Sequence, residues 1–165
     1  MNSMDIFSNN DQTFQVAVPE IVIRTMLEQS ILAGKMETGG ILIGHYSGDH
    51  KTAIVTRAEP PPPDSRWGRT WFERGVKGIQ DVLKRMWLAP QRTYYLGEWH
   101  FHPFAAPTSS HTDTTTMHQE ELRFGFSCQE PILIIVGGNP RAEFDLNVYV
   151  YPDSRREIQL HRRQQ

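Results

Sequence analysis

The feature that most constrains the fold is the stretch TYYLGEWHFH at 93–102, which is followed immediately by Pro103. Aromatic residues favour strands, and proline ends a strand ladder because it has no N–H to donate. Successive side chains of a strand point to opposite faces of the sheet. The alternation therefore predicts two faces, one with Glu98, His100 and His102 and the other with Tyr95, Trp99 and Phe101. An aromatic face of this kind can be buried while both imidazoles stand together on the opposite face.

Strand and helix patterns are interleaved along the rest of the chain, which predicts a single mixed α/β (α+β) domain built around a sheet. Turn residues and prolines separate these patterns, and the proline run PPPPDSRWGR predicts a surface loop. The predicted elements are a strand at 13–18, a helix from Pro19 to near Gly34, a hairpin at 39–59, a loop at 60–69, a helix at 72–87, the strand at 93–102, a helix from Ser109 or Ser110 to about Arg123, and strands at 131–138 and 143–151.

The length and composition narrow the class of protein further. A chain of 165 residues with 38% hydrophobic and 22% charged residues is typical of one globular domain. We expect one domain over 1–165 with its core at about 13–151, and a basic tail or last strand at 152–165. A net charge of −2 gives no overall signal for nucleic acid or a membrane surface. One cysteine, Cys128, and the absence of a signal-peptide pattern at 1–13 predict a cytoplasmic protein.

The two histidines suit a metal site. Imidazoles two residues apart on a strand can bind one ion from the same side, and zinc in catalytic sites usually has three protein ligands. Asp113 lies in the first turn of the next predicted helix and can supply the third ligand, while Ser110 lies three residues before it. The simpler alternative is a structural one: Ser-x-x-Asp is also close to a helix capping box, and strand histidines are often only hydrogen-bonded.

Hydrolysis at such a site also requires a group that carries protons. Glu37 is the candidate because it stands directly before the turn-forming residues of TGGILIG, which lead into a strand. The alternative is an ordinary surface carboxylate at the junction between a helix and a strand.

These residues together resemble the JAMM signature of the JAB/MPN-domain metallopeptidases. Glu37 precedes TGGILIG, and after the second histidine of His100-x-His102-Pro103 a serine follows at eight residues and an aspartate at eleven. The resemblance covers nearly the whole chain to at least Tyr151, although Phe101 stands where the family often has serine or threonine. It implies a curved mixed sheet flanked by helices (cytidine-deaminase-like) and one zinc ion. Residue by residue, it makes His100, His102 and Asp113 the zinc ligands, Glu37 the general acid/base, and Ser110 a group that stabilises the tetrahedral intermediate.

A narrower resemblance rests on ETGGILIGHY, PPPPDSRWGRTWFER and YLGEWHFHP. These segments are similar to bacterial JAB peptidases encoded beside ubiquitin-like conjugation machinery, notably those of CBASS antiphage operons. The resemblance implies that the substrate is the C-terminal tail of a ubiquitin-like protein or of a conjugated nucleotidyltransferase, and that the operon's activating and conjugating enzymes are partners. An extended tail could add as a strand to an exposed sheet edge. Trp67, Trp71 and Phe72 are candidates for one wall of the tail groove, or alternatively for core packing under the second helix.

Two rival functions remain at this point. One is a non-catalytic MPN-type scaffold that binds a protein tail, although tail binding alone requires none of the five site residues. The other is a JAB hydrolase of a small amide or a cysteine-containing compound. Glu98 could orient an imidazole from behind the ligands, or could pair with a lysine or arginine. For Cys128 we expect an inert, partly buried thiol.

Overall fold

The computed structural model describes residues 3–119 and 125–164. Within these residues the chain forms ten strands and three helices. In chain order they are β1 (Met4–Ser8), β2 (Gln15–Pro19), α1 (Glu20–Ala33), β3 (Thr38–Tyr46), β4 (Thr52–Ala58), β5 (Arg66–Trp67), β6 (Phe72–Glu73), α2 (Ile79–Leu88), β7 (Tyr94–Pro103), α3 (His111–Met117), β8 (Ile132–Gly138), β9 (Phe144–Asp153) and β10 (Arg156–Arg162).

Eight of the strands form one mixed sheet that closes on itself in the order β1-β10-β9-β8-β7-β3-β4-β2, and β5 pairs only with β6. The pairs β2–β4 and β7–β8 are parallel, and the other neighbours are antiparallel. The mixed α/β class is confirmed, but the sheet is closed into a barrel and is not simply the curved sheet that the resemblance implied. Closure depends on β1, which pairs with both β2 and β10. The short segment MDIFS has no strong strand pattern of its own, so no strand was predicted there.

Two clusters of buried apolar side chains lie on opposite sides of the central strands. One cluster joins α1 to strand residues that include Leu96, Trp99 and Phe101. The other joins Ile79 of α2 and Met117 of α3 to the opposite faces of β3, β7, β8 and β9. Glu98, His100 and His102 alternate with Trp99 and Phe101 along β7. Their side chains therefore face the opposite side of the sheet, where α2 and α3 lie. The prediction that Trp99 and Phe101 turn away from the histidines is confirmed.

The prediction for Tyr95 is wrong, because the alternation of β7 shifts phase at Gly97. Leu42 of β3 stands opposite Gly97, but Ile43 stands opposite Tyr95, so the pairing skips one residue. Tyr95 therefore lies on the face of Glu98, and its hydroxyl donates to Glu98 Oε1 at 2.9 Å. A Cβ at Gly97 would lie 1.9 Å from the carbonyl oxygen of Ile132, so the neighbouring strand leaves room only for glycine there.

The second helix starts later than the pattern at 72–87 predicted. Phe72 and Glu73 are paired in β6, and α2 begins only at Ile79, after Gly78 with φ +86°. Asp64 explains the difference, because its carboxylate accepts the backbone N–H groups of Val76 and Lys77 and holds that segment as a loop. Asp64 lies more than ten residues before these donors, so local periodicity gives no sign of this contact.

The third helix begins at His111, directly after Ser110, as the cap pattern predicted, and α3 extends to Met117. The remainder of the predicted helix, toward Arg123, falls partly outside the described residues. Within the described part of the chain, no helix has both the length and the apolar composition needed to span a bilayer.

Candidate metal centre

The two histidines lie at the end of β7, between β3 and β8. His100 stands opposite Gly39 of β3, and His102 stands beside Gly137 of β8. Only 7% of the surface of His100 and 9% of that of His102 is exposed. Glycine at position 39 lets β7 and the ring of His100 approach β3 closely: a Cβ at Gly39 would lie 2.9 Å from Cδ2 of His100 and 2.2 Å from the oxygen of Trp99.

Asp113 reaches both histidines from α3. His100 Nδ1 lies 2.8 Å from Oδ1 of Asp113, and His102 Nε2 lies 3.5 Å from Oδ2. One ligand atom from each of the three residues lies within 4.8 Å of the others. Zinc bound tetrahedrally at 2.0–2.2 Å holds its ligand atoms roughly 3.4 Å apart. Two imidazoles, which can bind a metal when neutral, and one carboxylate at this spacing are consistent with a metal ion.

Ser110 and Asp113 form a complete capping box at the start of α3. The Ser110 Oγ accepts the N–H of Asp113 at 3.1 Å, and the N–H of Ser110 donates to Asp113 Oδ2 at 2.7 Å. The Ser110 hydroxyl also donates to the same Oδ2 at 2.7 Å. The capping box that was the structural alternative is therefore present. It is compatible with a metal site, because the cap orients the carboxylate that faces the histidines.

Glu37 joins this group from the segment before β3. Its carboxylate lies close enough to His100, His102 and Asp113 for their charges to affect its pKa. Its backbone N–H donates to the carbonyl oxygen of Gly68 at 2.8 Å, which ties it to the β5–β6 hairpin. The structure therefore brings together the five residues that the signature names.

The electrostatics of the group are those of a carboxylate–imidazole cluster. Burial raises the pKa of Glu37, and the histidines oppose that rise. Burial acts to lower the pKa of His102, but the hydrogen bond and charge of Asp113 outweigh burial and raise it. Burial acts to raise the pKa of Asp113, yet its hydrogen bonds with His100 and His102 hold that pKa far below the ordinary 3.8.

The β5–β6 hairpin forms one side of the site. The rings of Phe72 and His100 meet edge to face, with centroids 5.7 Å apart. Trp67 and Trp71 are 48% and 49% exposed, so they do not fill a core under the second helix. A Cβ at Gly68 would lie 2.2 Å from Nε1 of Trp71, so that ring lies across Gly68 at the hairpin turn. Of the three aromatic residues, Phe72 contacts His100, while Trp67 and Trp71 are exposed on the same hairpin.

A buried ion pair behind the histidines involves a residue that the sequence did not single out. Arg74 Nε donates to Oε2 of Glu98 at 2.7 Å, and Tyr95 donates to the other carboxylate oxygen. The side chains of Arg74 and Glu98 are only 13% and 3% exposed. Burial raises the pKa of Glu98, and Arg74 opposes that rise. Of the two alternatives for Glu98, pairing with an arginine is the one found, and the pair ties the segment after β6 to the ligand strand.

A second unexpected residue, Glu157 of β10, holds the start of α3. Its carboxylate accepts the hydroxyls of Ser109 at 2.9 Å, Thr114 at 3.0 Å and Tyr151 at 2.7 Å. No spacing in the sequence connects Glu157 with residues more than forty positions earlier. The only local signal was that the basic segment RREIQLHRR contains one acidic residue.

The remaining candidate, Cys128, is buried, and its Sγ lies 3.7 Å from the carbonyl oxygen of Leu96.

Comparison with known proteins identifies the family of this chain. Residues 19–149 match the model described as prokaryotic homologs of the JAB domain. The chain belongs to the prokaryotic JAB family. The matched segment includes Glu37, both histidines and Asp113.

Curated relatives in this JAB family carry hydrolase names. A protein of Enterobacter hormaechei subsp. hoffmannii named CD-NTase/cGAS isopeptidase is 38% identical over 154 residues, covering 93% of this chain and 84% of the relative. A protein of the same name from Escherichia coli is 30% identical, covering 84% of each. A probable metalloprotease of Sinorhizobium fredii is 28% identical, covering 74% of this chain and 76% of its own length. At family level these names support an isopeptidase or metalloprotease, that is, a hydrolase.

The JAB fold is also similar to a solved structure. The solution structure of protein DSY2949 from Desulfitobacterium hafniense superposes with a TM-score of 0.61 and covers 88% of this chain and 87% of that one. At 17% identity this similarity concerns the fold alone.

Proposed function

We propose that the chain is a zinc-dependent isopeptidase that cleaves the amide bond at the end of a conjugated protein's C-terminal tail. The observation that carries the proposal is the cluster of His100, His102 and Asp113 with Glu37 beside it. A carboxylate next to a buried set of three metal ligands is unnecessary for holding a tail, but hydrolysis requires a proton carrier. Zinc held by two imidazoles and a carboxylate would act as a Lewis acid and lower the pKa of a water molecule.

In the proposed reaction Glu37 handles the protons. Its carboxylate would accept a proton from the water whose oxygen forms the new bond to the scissile carbonyl carbon. The same proton would pass to the nitrogen of the leaving amine as the C–N bond breaks. The partial burial that raises the pKa of Glu37 brings this group closer to the pH at which it must both accept and donate.

Ser110 would stabilise the negative oxygen that develops on the carbonyl. A serine hydroxyl has only one proton to donate, and that proton now points to Oδ2 of Asp113. We therefore infer that the hydroxyl turns from Asp113 toward the carbonyl oxygen when substrate is present, while the backbone N–H of Ser110 keeps its bond to Oδ2.

The proposed substrate is a ubiquitin-like protein or a nucleotidyltransferase conjugated through its C-terminal tail, in an antiphage defence operon with activating and conjugating enzymes. The relatives named for the CD-NTase/cGAS type of nucleotidyltransferase support the second choice. Because the eight-stranded sheet is closed, the exposed strand edges nearest the metal centre within the described residues are those of β5 and β6. A tail that adds as a strand would add there, beside Trp67 and Trp71. One domain over 1–165 and a cytoplasmic location remain predictions.

The experiment uses zinc-loaded protein and a positional library of six-residue tails, each linked through its C-terminus to Nε of lysine in a peptide. We expect about one zinc per chain and cleavage of a subset of tails. Glu37→Gln should keep the metal but lower turnover by roughly a hundredfold or more, whereas Glu28→Gln on the exposed face of α1 should match the parent. Cleavage by Glu37→Gln at the parent rate, or no cleavage of any tail by the zinc-loaded parent, would refute the proposal. Hydrolysis of small amides alone would favour the small-amide rival.

A further inference from the structure

A second aromatic residue, Phe104, lies in the turn that follows β7, on the flank of β7 that pairs with β8 rather than with β3. Phe104 follows His102 by two residues and is 62% exposed. The hairpin contacts the site through Phe72 against His100 and through Gly68 against Glu37. The turn that carries Phe104 instead adjoins His102, whose ring hydrogen-bonds the backbone of Ala106. The hairpin therefore contacts the β3 side of the site, and the turn of Phe104 lies on the β8 side.

The backbone of Phe104 is in a conformation that disfavours its side chain. The N–H of Ala105 donates to the oxygen of His102 at 3.3 Å, so residues 102–105 form a β-turn with Pro103 second and Phe104 third. Phe104 has φ +57°. A positive φ at the third position after proline is the signature of a type II turn, where glycine or asparagine is usual. A bulky side chain in this region is an outlier, and such strain is found preferentially at functional sites.

The turn is held firmly, so the backbone of Phe104 is fixed relative to His102. The N–H of Phe104 donates to the oxygen of Gly138 at 3.0 Å, and the N–H of Gly138 donates to the oxygen of Ala105 at 2.8 Å. A Cβ at Gly137 would lie 2.5 Å from that same oxygen of Ala105. These contacts keep the turn on β8 through backbone atoms alone, and none of them needs the phenyl ring. The ring is therefore not required for the turn, although the chain keeps it at a position that favours glycine.

We propose that Phe104 is a specificity residue that packs against the aliphatic stem of the target lysine, on the leaving-amine side of the scissile bond. This inference rests on the proposed function. If the tail lies along the β5–β6 hairpin, the chain beyond the scissile nitrogen leaves the site on the His102 side, toward Phe104. Once its nitrogen is in an amide, the lysine stem is uncharged and apolar, which suits an aromatic face. The stem spans about 6 Å from its amide nitrogen to Cα.

The test compares two probes that share one tail selected from the library. In the first probe the tail is linked to Nε of a lysine within a peptide, and in the second it ends in a methylamide. Both present a secondary amide, but only the first carries a lysine stem. For the parent we expect a higher kcat/KM on the lysine probe. Phe104→Gly should lower kcat/KM on the lysine probe roughly threefold to tenfold, the range of one aromatic contact, and leave the methylamide unchanged.

Three further variants separate the ring from the fold. Phe104→Tyr keeps the ring and should keep the lysine preference. Phe104→Asn tolerates the turn conformation without a ring and should behave as Phe104→Gly. Leu88→Ala removes a 71% exposed apolar side chain near the opposite end of β7 and should change neither probe. Phe104→Gly should melt at or above the temperature of the parent, because glycine is favoured at this turn position.

The outcomes distinguish this inference from the function on which it rests. Equal losses on both probes, or an unchanged lysine preference in Phe104→Gly, would overturn the role of Phe104 while the parent's cleavage upheld the isopeptidase. A zinc-loaded parent inactive on both probes would overturn the proposed function and this inference together.

Discussion

At the scale of single residues, Asp113 both caps a helix and faces the histidines, two roles that are usually considered alternatives. Its Oδ2 accepts the N–H and the hydroxyl of Ser110, which caps α3, while Oδ1 faces His100. A carboxylate fixed by its own helix start loses little conformational freedom when it binds a metal. In the proposed site the cap would hold Asp113 in place as a ligand, and the two roles can be separated by substitution.

Two substitutions make that separation measurable. Asp113→Asn keeps an oxygen that can accept the cap hydrogen bonds but replaces an anionic ligand with a neutral one, so the purified protein should lose its metal. Ser110→Ala removes the side-chain half of the cap and should destabilise the fold by about 1 kcal/mol while keeping the metal. Metal analysis and thermal unfolding of both variants provide the check. A metal-free Ser110→Ala would mean that the cap is essential to the ligand geometry.

The Arg74–Glu98 pair gives a second prediction at this scale. Removing one member of a buried ion pair leaves the other charge uncompensated, which typically destabilises a protein by about 3–5 kcal/mol. We expect a loss of that size for Arg74→Met. The double variant Arg74→Met/Glu98→Gln should recover most of it, because the amide is neutral and its oxygen can still accept the Tyr95 hydroxyl. Denaturant unfolding of the single and double variants measures the recovery, and additive losses would contradict the pairing.

At the scale of elements, the sequence predicted the helices and strands whose positions depend on local residue patterns. The positions of α1, β3, β4, β7 and the start of α3 follow from periodicity, caps and prolines, and the five candidate site residues follow from their residue types together with the resemblance to the JAMM signature. Contacts between residues that are far apart in the sequence were not predictable. Arg74 follows a two-residue strand in a loop held by Asp64, and Glu157 lies in a charged segment whose only visible property was its arginines. Their roles depend on which elements the closed sheet brings together.

The β9–β10 hairpin supports α3 through Glu157 at one end and through His118 at the other, where Nε2 of His118 lies 3.3 Å from the oxygen of Arg156. Seven residues are too few for an independently stable helix, so α3 depends on such contacts. Glu157→Ala should lower the free energy of unfolding by about 1–2 kcal/mol and weaken metal binding through Asp113.

The control for this prediction is Glu143→Ala, which removes an exposed carboxylate just before β9. Competition with a zinc chelator measures the affinity of each variant. If Glu157→Ala binds zinc as tightly as Glu143→Ala, the hairpin stabilises the fold but does not position the ligand.

At the scale of the whole molecule, the metal centre joins elements that are otherwise far apart along the chain. Glu37 precedes β3, the histidines end β7, and Asp113 belongs to α3. A metal ion held by the two histidines and Asp113 would cross-link β7 to α3, with Glu37 beside it. Binding to the folded state alone stabilises it, by about 4 kcal/mol when free zinc is a thousandfold above its dissociation constant.

The pH dependence of that stabilisation follows from the shifted groups. The lowered pKa of Asp113 gives the metal-free protein stability above pH 3.8 that is lost as the pH falls. The raised pKa of His102 gives stability that is complete below pH 6.5 and lost as the pH rises through the shifted value. Zinc requires the neutral imidazole, so its affinity rises over the same range. We therefore expect the difference in melting temperature between zinc-loaded and metal-free protein to increase from pH 6 to pH 8. Asp113→Asn, which lacks both the ion pair and the ligand, should show little difference at either pH, and a gap that narrowed in the parent would argue against His102 as a ligand.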